Sequence, residues 1–241
     1  MHRYLVFVFV LGLFLSFVVT GSEAYDLSYV IVAVYGSTPL IDGVVNSTEW
    51  SDAASLSFDN TEVFVKQDGV NLYVGFNNSE APYHEEDIVG IFIDVNNDGG
   101  TTLLQDEIAV VVYRNGTLLE ANVAEGQWNL TSVSGWTASF HSTSDMWQAE
   151  FNITYSKIEV VANTEKTIGV VFAAQYRMVS AYPFCWPSKY YPNIYDDPSE
   201  WGGMTSTEYN WIPEFSPFIV LPLFMIVTIL VGIVCRRKHT V

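Results

Sequence analysis

One loop rich in carboxylate and amide oxygens carries the sharpest chemical signal in the sequence. It reads Asp94-Val95-Asn96-Asn97-Asp98-Gly99-Gly100. Oxygen-bearing side chains stand at alternate positions, so Asp94, Asn96 and Asp98 can converge on one point, and the glycine at the sixth position permits a left-handed turn. The pattern predicts a calcium site with the ligands Asp94, Asn96, Asp98 and Asp106. The alternative is an Asn/Asp/Gly-rich hairpin turn that binds no ion.

This loop differs from an EF-hand in two respects. The twelfth position, which takes a bidentate Glu in an EF-hand, is Gln105, and no helical pattern flanks the loop. Asp106 or Glu107 would therefore have to complete the coordination of the ion.

The segment between Phe184 and Trp201 is dense in aromatic and prolyl residues. Flat aromatic faces stack on the C–H faces of sugar rings, while nearby Asp and Asn side chains bind hydroxyl groups. We therefore predict a carbohydrate site that is formed by aromatic side chains of this segment together with one from an earlier loop: Trp128, Trp186, Tyr190, Tyr191 and Trp201. The alternative is a closing loop whose rings cover one side of the domain.

No residue constellation in the sequence indicates catalysis. Zinc spacings, a Gly-x-Ser-x-Gly elbow and a Gly-rich phosphate loop are all absent. A glycosidase needs two carboxylates at a set spacing, and so many acids occur here that no pair is informative. His84 and His141 are isolated in the sequence. We expect no enzymatic activity and no cofactor other than calcium.

The elements that must position these residues are predicted to be β-strands. Glu62–Lys66 and Leu72–Phe76 alternate around an Asp-Gly turn and predict a hairpin, while Ile88–Ile93 is a continuous apolar strand buried on both faces. Asn115-Gly116 is a strong hairpin-turn signal. Further strands are predicted over 107–113, 117–123, 136–141, 146–153 and 166–178, with one helical turn near Tyr155. Such a pattern is typical of an all-β fold, an antiparallel β-sandwich.

Five motifs in order along the chain point to a known family. They are Ile41-Asp42-Gly43 followed by Glu49-Trp50, Asp68 to Val74, Asp87 to Asp94, Trp147-Gln148-Ala149-Glu150, and the turn at Tyr155. Together they resemble carbohydrate-binding modules of family 9 and their DOMON-like relatives. The resemblance implies a jelly-roll type β-sandwich and sugar binding by an aromatic clamp with polar hydrogen bonds. Some relatives bind haem instead through a His/Met pair, so the fold leaves the function open.

Trp50 and Trp147 belong to two of these motifs. Each lies in an alternating apolar stretch, and large aromatic side chains bury much area when they pack. We expect both indoles in the core rather than in a ligand site.

Both ends of the chain carry apolar segments. Tyr4–Val19 has no charge and is followed by Ser22-Glu23-Ala24, which predicts a signal peptide; a retained short transmembrane helix is the alternative. Phe215–Cys235 is uncharged, is long enough to span a bilayer, and precedes Arg236-Arg237-Lys238. This predicts a transmembrane helix with its basic tail in the cytoplasm, the alternative being a buried core helix.

The span is preceded by Pro213-Glu214-Phe215. This arrangement resembles the archaeal Pro-Glu-Phe sorting signal recognised by archaeosortases, although Ser216 separates the phenylalanine from Pro217. The resemblance implies an archaeal surface protein that an archaeosortase-type enzyme cuts near Glu214 and re-anchors by lipid.

The predicted organisation follows from these boundaries. It consists of a signal peptide at 1–24, an N-terminal segment at 25–39, a β-sandwich at 40–205, a linker at 206–214, a transmembrane helix at 215–235, and a cytoplasmic tail at 236–241. Localisation in the cell membrane with an extracellular ectodomain is expected.

The ectodomain is strongly acidic. Between Tyr25 and Pro213, six Lys and Arg residues face 25 Asp and Glu residues, a net charge of −19. Nucleic acid is excluded as a partner, because binding it requires cations that replace counterions. Cys185 is the only cysteine of this region, so the region has no internal disulfide. Metal cations and neutral sugars remain as ligands.

Five Asn-x-Ser/Thr sequons occur in the same region. In an exported chain each is a candidate for N-glycosylation, and we expect several to be occupied: Asn46, Asn77, Asn115, Asn129 and Asn152. The sequence as a whole predicts a membrane-anchored protein that binds a glycan and catalyses no reaction. The alternative is a structural or protein-interaction ectodomain of the archaeal cell envelope that binds no sugar.

Overall fold

The computed structural model describes residues 29–79, 82–161, 166–180, 182–187 and 194–206. This part of the chain forms two β-sheets. Two short 3-10 helices, Ile194–Asp196 and Pro198–Glu200, precede the last strand. In chain order the strands are β1 (Val30–Val32), β2 (Val34–Tyr35), β3 (Ala54–Phe58), β4 (Thr61–Gln67), β5 (Asn71–Asn78), β6 (Ile88–Asp94), β7 (Glu107–Tyr113), β8 (Leu118–Ala124), β9 (Gln127–Thr131), β10 (Trp136–Ser142), β11 (Trp147–Thr154), β12 (Ile168–Gln175), β13 (Phe184–Trp186) and β14 (Gly202–Thr205).

The strands are divided between an eight-stranded and a six-stranded sheet. The first has the order β1-β14-β12-β6-β7-β8-β9, with β13 beside β12, and the second has the order β10-β11-β5-β4-β2, with β3 beside β4. The predicted β-sandwich is confirmed, but the sheets are mixed rather than wholly antiparallel. Strands β1 and β2 belong to one N-terminal segment that passes from an edge of one sheet to an edge of the other, and they pair in parallel with β14 and β4.

The strands predicted from alternation are those that fill the middle of the two sheets. The hairpin β4–β5, the continuous apolar strand β6, and strands β7, β8, β10, β11 and β12 are all present. The strands that the sequence pattern missed have five residues or fewer: β1, β2, β3, β9, β13 and β14. Such short segments show too few alternations to be distinguished from loops.

The main core lies between the two sheets. The ring of Phe76 contacts Phe151 at a centroid distance of 5.5 Å and Phe172 at 6.1 Å, which joins the six-stranded sheet to the eight-stranded one. Trp147 is fully buried and Trp50 is only 2% exposed, as the sequence predicts. Trp50, however, lies on the outer face of the six-stranded sheet, where its indole covers Gly75 so closely that a Cβ there would be 3.1 Å from the ring.

A buried carboxylate holds the segment around Trp50 against the six-stranded sheet. Glu150 on β11 is fully buried; its Oε1 accepts a hydrogen bond from Trp50 Nε1 at 2.9 Å. Its Oε2 accepts hydrogen bonds from the backbone N–H groups of Asp42 (3.0 Å) and Gly43 (2.8 Å). Gly43 has a φ of +93°, and a Cβ there would lie 2.4 Å from the Phe140 backbone. Residues of two sequence motifs therefore form a single structural unit.

In the part of the chain that the structure describes, no helix is both long and apolar enough to cross a bilayer. The predicted signal peptide, the transmembrane helix at 215–235 and the Pro213-Glu214-Phe215 motif lie outside the described residues, and they remain predictions.

Replacement of Glu150 tests this buried carboxylate. In Glu150→Gln the amide nitrogen must face N–H donors, so at least one buried donor loses its acceptor, which costs roughly 1 to 3 kcal/mol for each group. We expect the free energy of unfolding, measured by urea titration of the full chain, to fall by about 2 kcal/mol or more. Glu85→Gln removes the same charge at an exposed position and should leave stability within about 0.5 kcal/mol of the wild type. Equal stabilities of the two variants would contradict the assignment.

Candidate functional site

Two of the predicted carbohydrate-binding residues lie together on the outer face of the eight-stranded sheet. Phe92 of β6 is the centre of this aromatic cluster: Tyr195 stacks on it at 4.2 Å, and Trp128 and Trp201 contact it edge to face at 5.7 Å and 6.4 Å. Both indole N–H groups donate to backbone carbonyls of the same turn, Trp128 to Tyr195 at 3.1 Å and Trp201 to Ile194 at 2.6 Å. Rings held in this way cover the sheet, which supports the closing-loop alternative for this segment.

The other predicted aromatic residues are not part of this cluster. Trp186 packs against Phe172 at a centroid distance of 5.9 Å and against Gly202, where a Cβ would lie 2.7 Å from the indole. Tyr190 and Tyr191 lie outside the described residues. Among the described residues of the predicted site, the fold therefore brings Trp128 and Trp201 together and places Trp186 against the main core.

The acidic loop brings three of its predicted ligands together. One carboxylate oxygen from each of Asp94, Asp98 and Asp106 lies within 4.8 Å of the other two. Asp94 is buried at the end of β6, where it accepts hydrogen bonds from the N–H groups of Asn97 (2.6 Å) and Gly99 (3.0 Å). Asn96 contributes its backbone N–H, which donates to Asp106 Oδ2 at 3.0 Å.

A fourth carboxylate adjoins this cluster. Glu107 stands opposite Asp94 in the β6–β7 register and is fully buried. Its Oε2 accepts a hydrogen bond from Leu104 N–H, but its Oε1 has no hydrogen-bond partner among the described residues. A buried carboxylate oxygen without a donor is costly, and a cation bound at the cluster would offset that cost.

Burial and mutual repulsion make these carboxyl groups poor acids. Burial raises the pKa of Asp94 to about 6 and that of Glu107 to about 7, and the charge of Asp106 adds to both shifts. The pKa of Asp98 is also raised, first by burial and then by Asp106. Lys166 interacts electrostatically with Asp94 and Asp106. Its hydrogen bonds, however, go to the backbone carbonyls of Ile158 and Glu159.

At the opposite end of the sandwich, a buried arginine joins three loops. Arg114, which follows β7, forms an ion pair with Asp87 at 3.1 Å, and both side chains are fully buried. Its five N–H groups have acceptors in Ser142 Oγ, Asp87 Oδ2 and the carbonyls of Pro82, Thr143 and Met146. The guanidinium also lies 5.1 Å from the ring of Tyr83 and 5.9 Å from that of Trp147.

An open cavity of about 570 Å³ lies beside this guanidinium. We call it the Arg114 cavity. Tyr83 and Phe140, two of its lining residues, are 55% and 37% exposed, so their rings are accessible to a ligand. The lining consists of Tyr83, Arg114, Asn115, Phe140, Ser142, Thr143 and Ser144.

Sequence reasoning did not identify this cavity. Its residues come from three separated stretches of the chain, and no motif within one stretch predicts that the three meet. The available signal was Arg114 itself, one of only six basic residues of the acidic ectodomain, placed directly before the Asn115-Gly116 turn.

The sequons differ in exposure. Asn115 and Asn129 are exposed, whereas Asn46, Asn77 and Asn152 are half-buried. The side-chain nitrogen of Asn46 donates to Glu49 at 2.6 Å, which occupies the atom that a glycan would need. Glycosylation remains a prediction for all five.

The fold is similar to known sugar-binding structures. A family 9 carbohydrate-binding module from Caldicellulosiruptor kristjanssonii, solved with cellotriose, aligns with a TM-score of 0.56 at 18% identity over 73% of this chain and 93% of the module. The same type of module from that organism with glucose aligns at 0.52 and 18%, over 74% and 95%. A candidate carbohydrate-binding protein from Bacteroides uniformis aligns at 0.55 and 11%, over 74% and 99%. No family model and no curated protein matches the sequence. At these identities the likeness shows the fold alone, and it agrees with the β-sandwich expected from the motifs.

The raised pKa values predict how stability depends on pH when no metal is present. Folding favours the protonated form of Asp94 and Glu107, so their contribution is full below the ordinary pKa values of 3.8 and 4.5 and is lost as pH rises through about 6 and 7. In a chelating buffer, Glu107→Gln should lose less melting temperature between pH 5 and pH 8 than the wild type does. Parallel melting curves for the two proteins across this range would contradict the assignment.

Proposed function

We propose that this chain is a non-catalytic glycan-binding protein of the cell surface, and that its ligand site is the Arg114 cavity. The observation that carries the proposal is the pairing of two accessible aromatic rings, Tyr83 and Phe140, with hydrogen-bonding groups in a single cavity. Sugar sites need both, since the rings stack on C–H faces and the polar groups bind hydroxyls. The fold shared with modules that were solved with cellotriose and glucose supports it.

The charge of the cavity favours a neutral ligand. Arg114 is the cation of the lining, but all five of its N–H groups already have protein acceptors. It cannot donate a pair of hydrogen bonds to a carboxylate or sulfate group of a ligand without losing one of its bonds to the protein. The ectodomain is also strongly acidic and would repel an anion. We therefore infer a neutral oligosaccharide, whose size is compatible with a pocket of a few hundred Å³.

The aromatic cluster on the outer face of the eight-stranded sheet is the weaker candidate. Its two indole N–H groups are bonded to protein carbonyls, and Phe92 at its centre is 7% exposed. A ligand there would reach only the outer edges of rings that already pack against one another.

The alternative function is a structural or protein-interaction role in the cell envelope. Membrane anchoring through residues 215–235 and export through residues 1–24 are part of the proposal, and they rest on the sequence pattern alone. Both alternatives share this placement, so binding experiments must separate them.

Binding by the full chain, produced in a host that attaches no N-glycans, should be measured on a broad neutral-glycan array and with cellotriose by calorimetry. The detergent must lack a sugar headgroup, because a glucoside or maltoside would compete for the site. We expect Tyr83→Ala and Phe140→Ala each to weaken binding about tenfold, since one stacked ring contributes roughly 1 to 2 kcal/mol.

Two further variants serve as matched controls. Trp201→Ala removes a ring of the aromatic cluster, and Tyr29→Ala removes a tyrosine that is 44% exposed and does not line the cavity. Both should bind like the wild type. A loss confined to Trp201→Ala would move the site to the aromatic cluster, and a folded wild type that binds no glycan would favour the structural role.

We further propose that Asp94, Asp98, Asp106 and Glu107 hold a calcium ion. Three of their carboxylate oxygens already lie within 4.8 Å of one another, and Oε1 of Glu107 is buried without a donor in the described part of the chain. Hard oxygen ligands of this kind suit calcium. The ion would fix the loop that follows β6 and neutralise the repulsion within the cluster.

Calcium should raise the melting temperature of the full chain by several degrees at neutral pH, because a ligand that binds only the folded state stabilises it by mass action. Asp98→Asn should remove most of this response, whereas Asp145→Asn, an exposed aspartate on another loop, should keep it. An unchanged wild-type melting temperature in millimolar calcium would leave the loop as a turn without an ion.

A further inference from the structure

Asn115 stands at the mouth of the Arg114 cavity on a tight hairpin turn. Tyr113 and Thr117 close the turn through the bond from Tyr113 N–H to Thr117 O at 2.8 Å, and Gly116 N–H donates to Tyr113 O at 2.9 Å. The ring of Phe140 packs on Gly116, where a Cβ would lie 2.7 Å from it. The turn therefore packs closely against one aromatic wall of the cavity.

The side-chain amide of Asn115 is oriented for modification. Its Oδ1 accepts a hydrogen bond from Thr117 N–H at 2.9 Å, while its Nδ2 donates to no protein group in the described part of the chain and the residue is exposed. By contrast, Nδ2 of Asn129, the other exposed sequon, donates to the carbonyls of Ala124 and Gln127. Asn115 is the exposed sequon whose acceptor atom is available in the folded domain.

We propose that a glycan attached to Asn115 seats its first sugar rings in the Arg114 cavity, so that the glycosylated chain fills its own site. In the attachment step, C1 of the donor sugar forms a bond to Nδ2, the bond from C1 to the phosphate oxygen of the lipid carrier breaks, and the amide loses one proton. The secretory machinery supplies the carrier and the transferase. The inference rests on the proposed function, because both require that the cavity holds a sugar.

The tether gives this glycan an advantage over free ligands. A ring attached by a short flexible link is present at an effective concentration in the millimolar range. A free glycan of similar intrinsic affinity would have to exceed that concentration to displace it. The chain without a glycan at Asn115 is then the form that binds other glycans, and sequon occupancy sets the fraction of chains that are competent.

The first test does not require the external ligand to be known. The full chain is produced in a yeast secretory host, and release of the Asn115 glycan by peptide N-glycosidase is followed by mass spectrometry on native and denatured protein. We expect release from the native wild type to be about tenfold slower than from native Tyr83→Ala, because one stacked ring contributes about that factor. Tyr83→Phe keeps the ring and should behave like the wild type.

Two results of this test would overturn the inference. One is an unmodified Asn115 in the secreted chain. The other is an Asn115 glycan that is released from the native wild type as fast as from native Tyr83→Ala.

A second test separates this inference from the proposed function. Thr117→Ala destroys the sequon without changing a residue that lines the cavity, and Thr117→Ser preserves it. We expect the Thr117→Ala chain to bind cellotriose at least tenfold more tightly than the glycosylated wild type and Thr117→Ser chains. Equal, measurable binding by all three would refute the self-filled cavity and keep the proposed function. If Thr117→Ala binds neither cellotriose nor any glycan of the array, the proposed function is refuted. The release experiment would then still show whether the Asn115 glycan lies in the cavity.

Discussion

The Arg114 cavity depends on one buried ion pair. Arg114 and Asp87 are both removed from water, and an isolated charge in such a position would be strongly destabilising. The guanidinium is tolerated because every one of its N–H groups has an acceptor. Those acceptors belong to different loops. Because every N–H group of the guanidinium must keep its acceptor, the ion pair fixes the positions of these loops relative to one another. The aromatic walls are therefore held by an interaction that no ligand needs to touch.

A second buried charge serves a different purpose. Glu150 is satisfied by Trp50 and by two backbone N–H groups near Gly43, and it attaches the segment before β3 to the outer face of the six-stranded sheet. The motif residues that point to the family are thus largely architectural. Tyr83 and Phe140, which give the cavity its chemistry, lie outside the Ile-Asp-Gly and Trp-x-Ala-Glu motifs. Similarity in those motifs therefore reports the fold more directly than it reports the ligand.

The sequence predicted what is local and missed what is assembled from distant parts. Strands such as β6 and β11 were recognisable because apolar residues recur with the sheet period, and the convergence of Asp94 with Asp98 followed from alternate positions in one loop. The sequence placed Trp128 and Trp201 in one site, but it did not show that both pack around Phe92. That contact needs β9 beside β8, and four of the five residues of β9 are exposed, so no apolar alternation marks the strand. The proximity of Tyr83 to Arg114 joins loops that are separated by about thirty residues of chain, and no periodic pattern encodes such a contact.

The acidic loop and the aromatic cluster share one face of the molecule. Ser199 N–H donates to the carbonyl of Gly100 at 2.8 Å, so the 3-10 helix Pro198–Glu200 is attached to the loop that carries Asp98. Trp201 follows the helix directly, so this hydrogen bond connects the acidic loop with the aromatic cluster.

The parallel pairing of β1 with β14 determines how the domain responds to a force that pulls on its two ends. The chain enters β1 at Val30 and leaves β14 at Thr205, and because the two strands run in the same sense, these ends lie at opposite ends of the pair. Tension applied between the two ends of the domain therefore slides one strand along the other. The bonds from Ala33 N–H to Thr205 O and from Gly203 N–H to Tyr29 O must then stretch together rather than open one after another. The junction of the first and last strands resists a pull along the chain as a shear joint, even though it is only a few residues long.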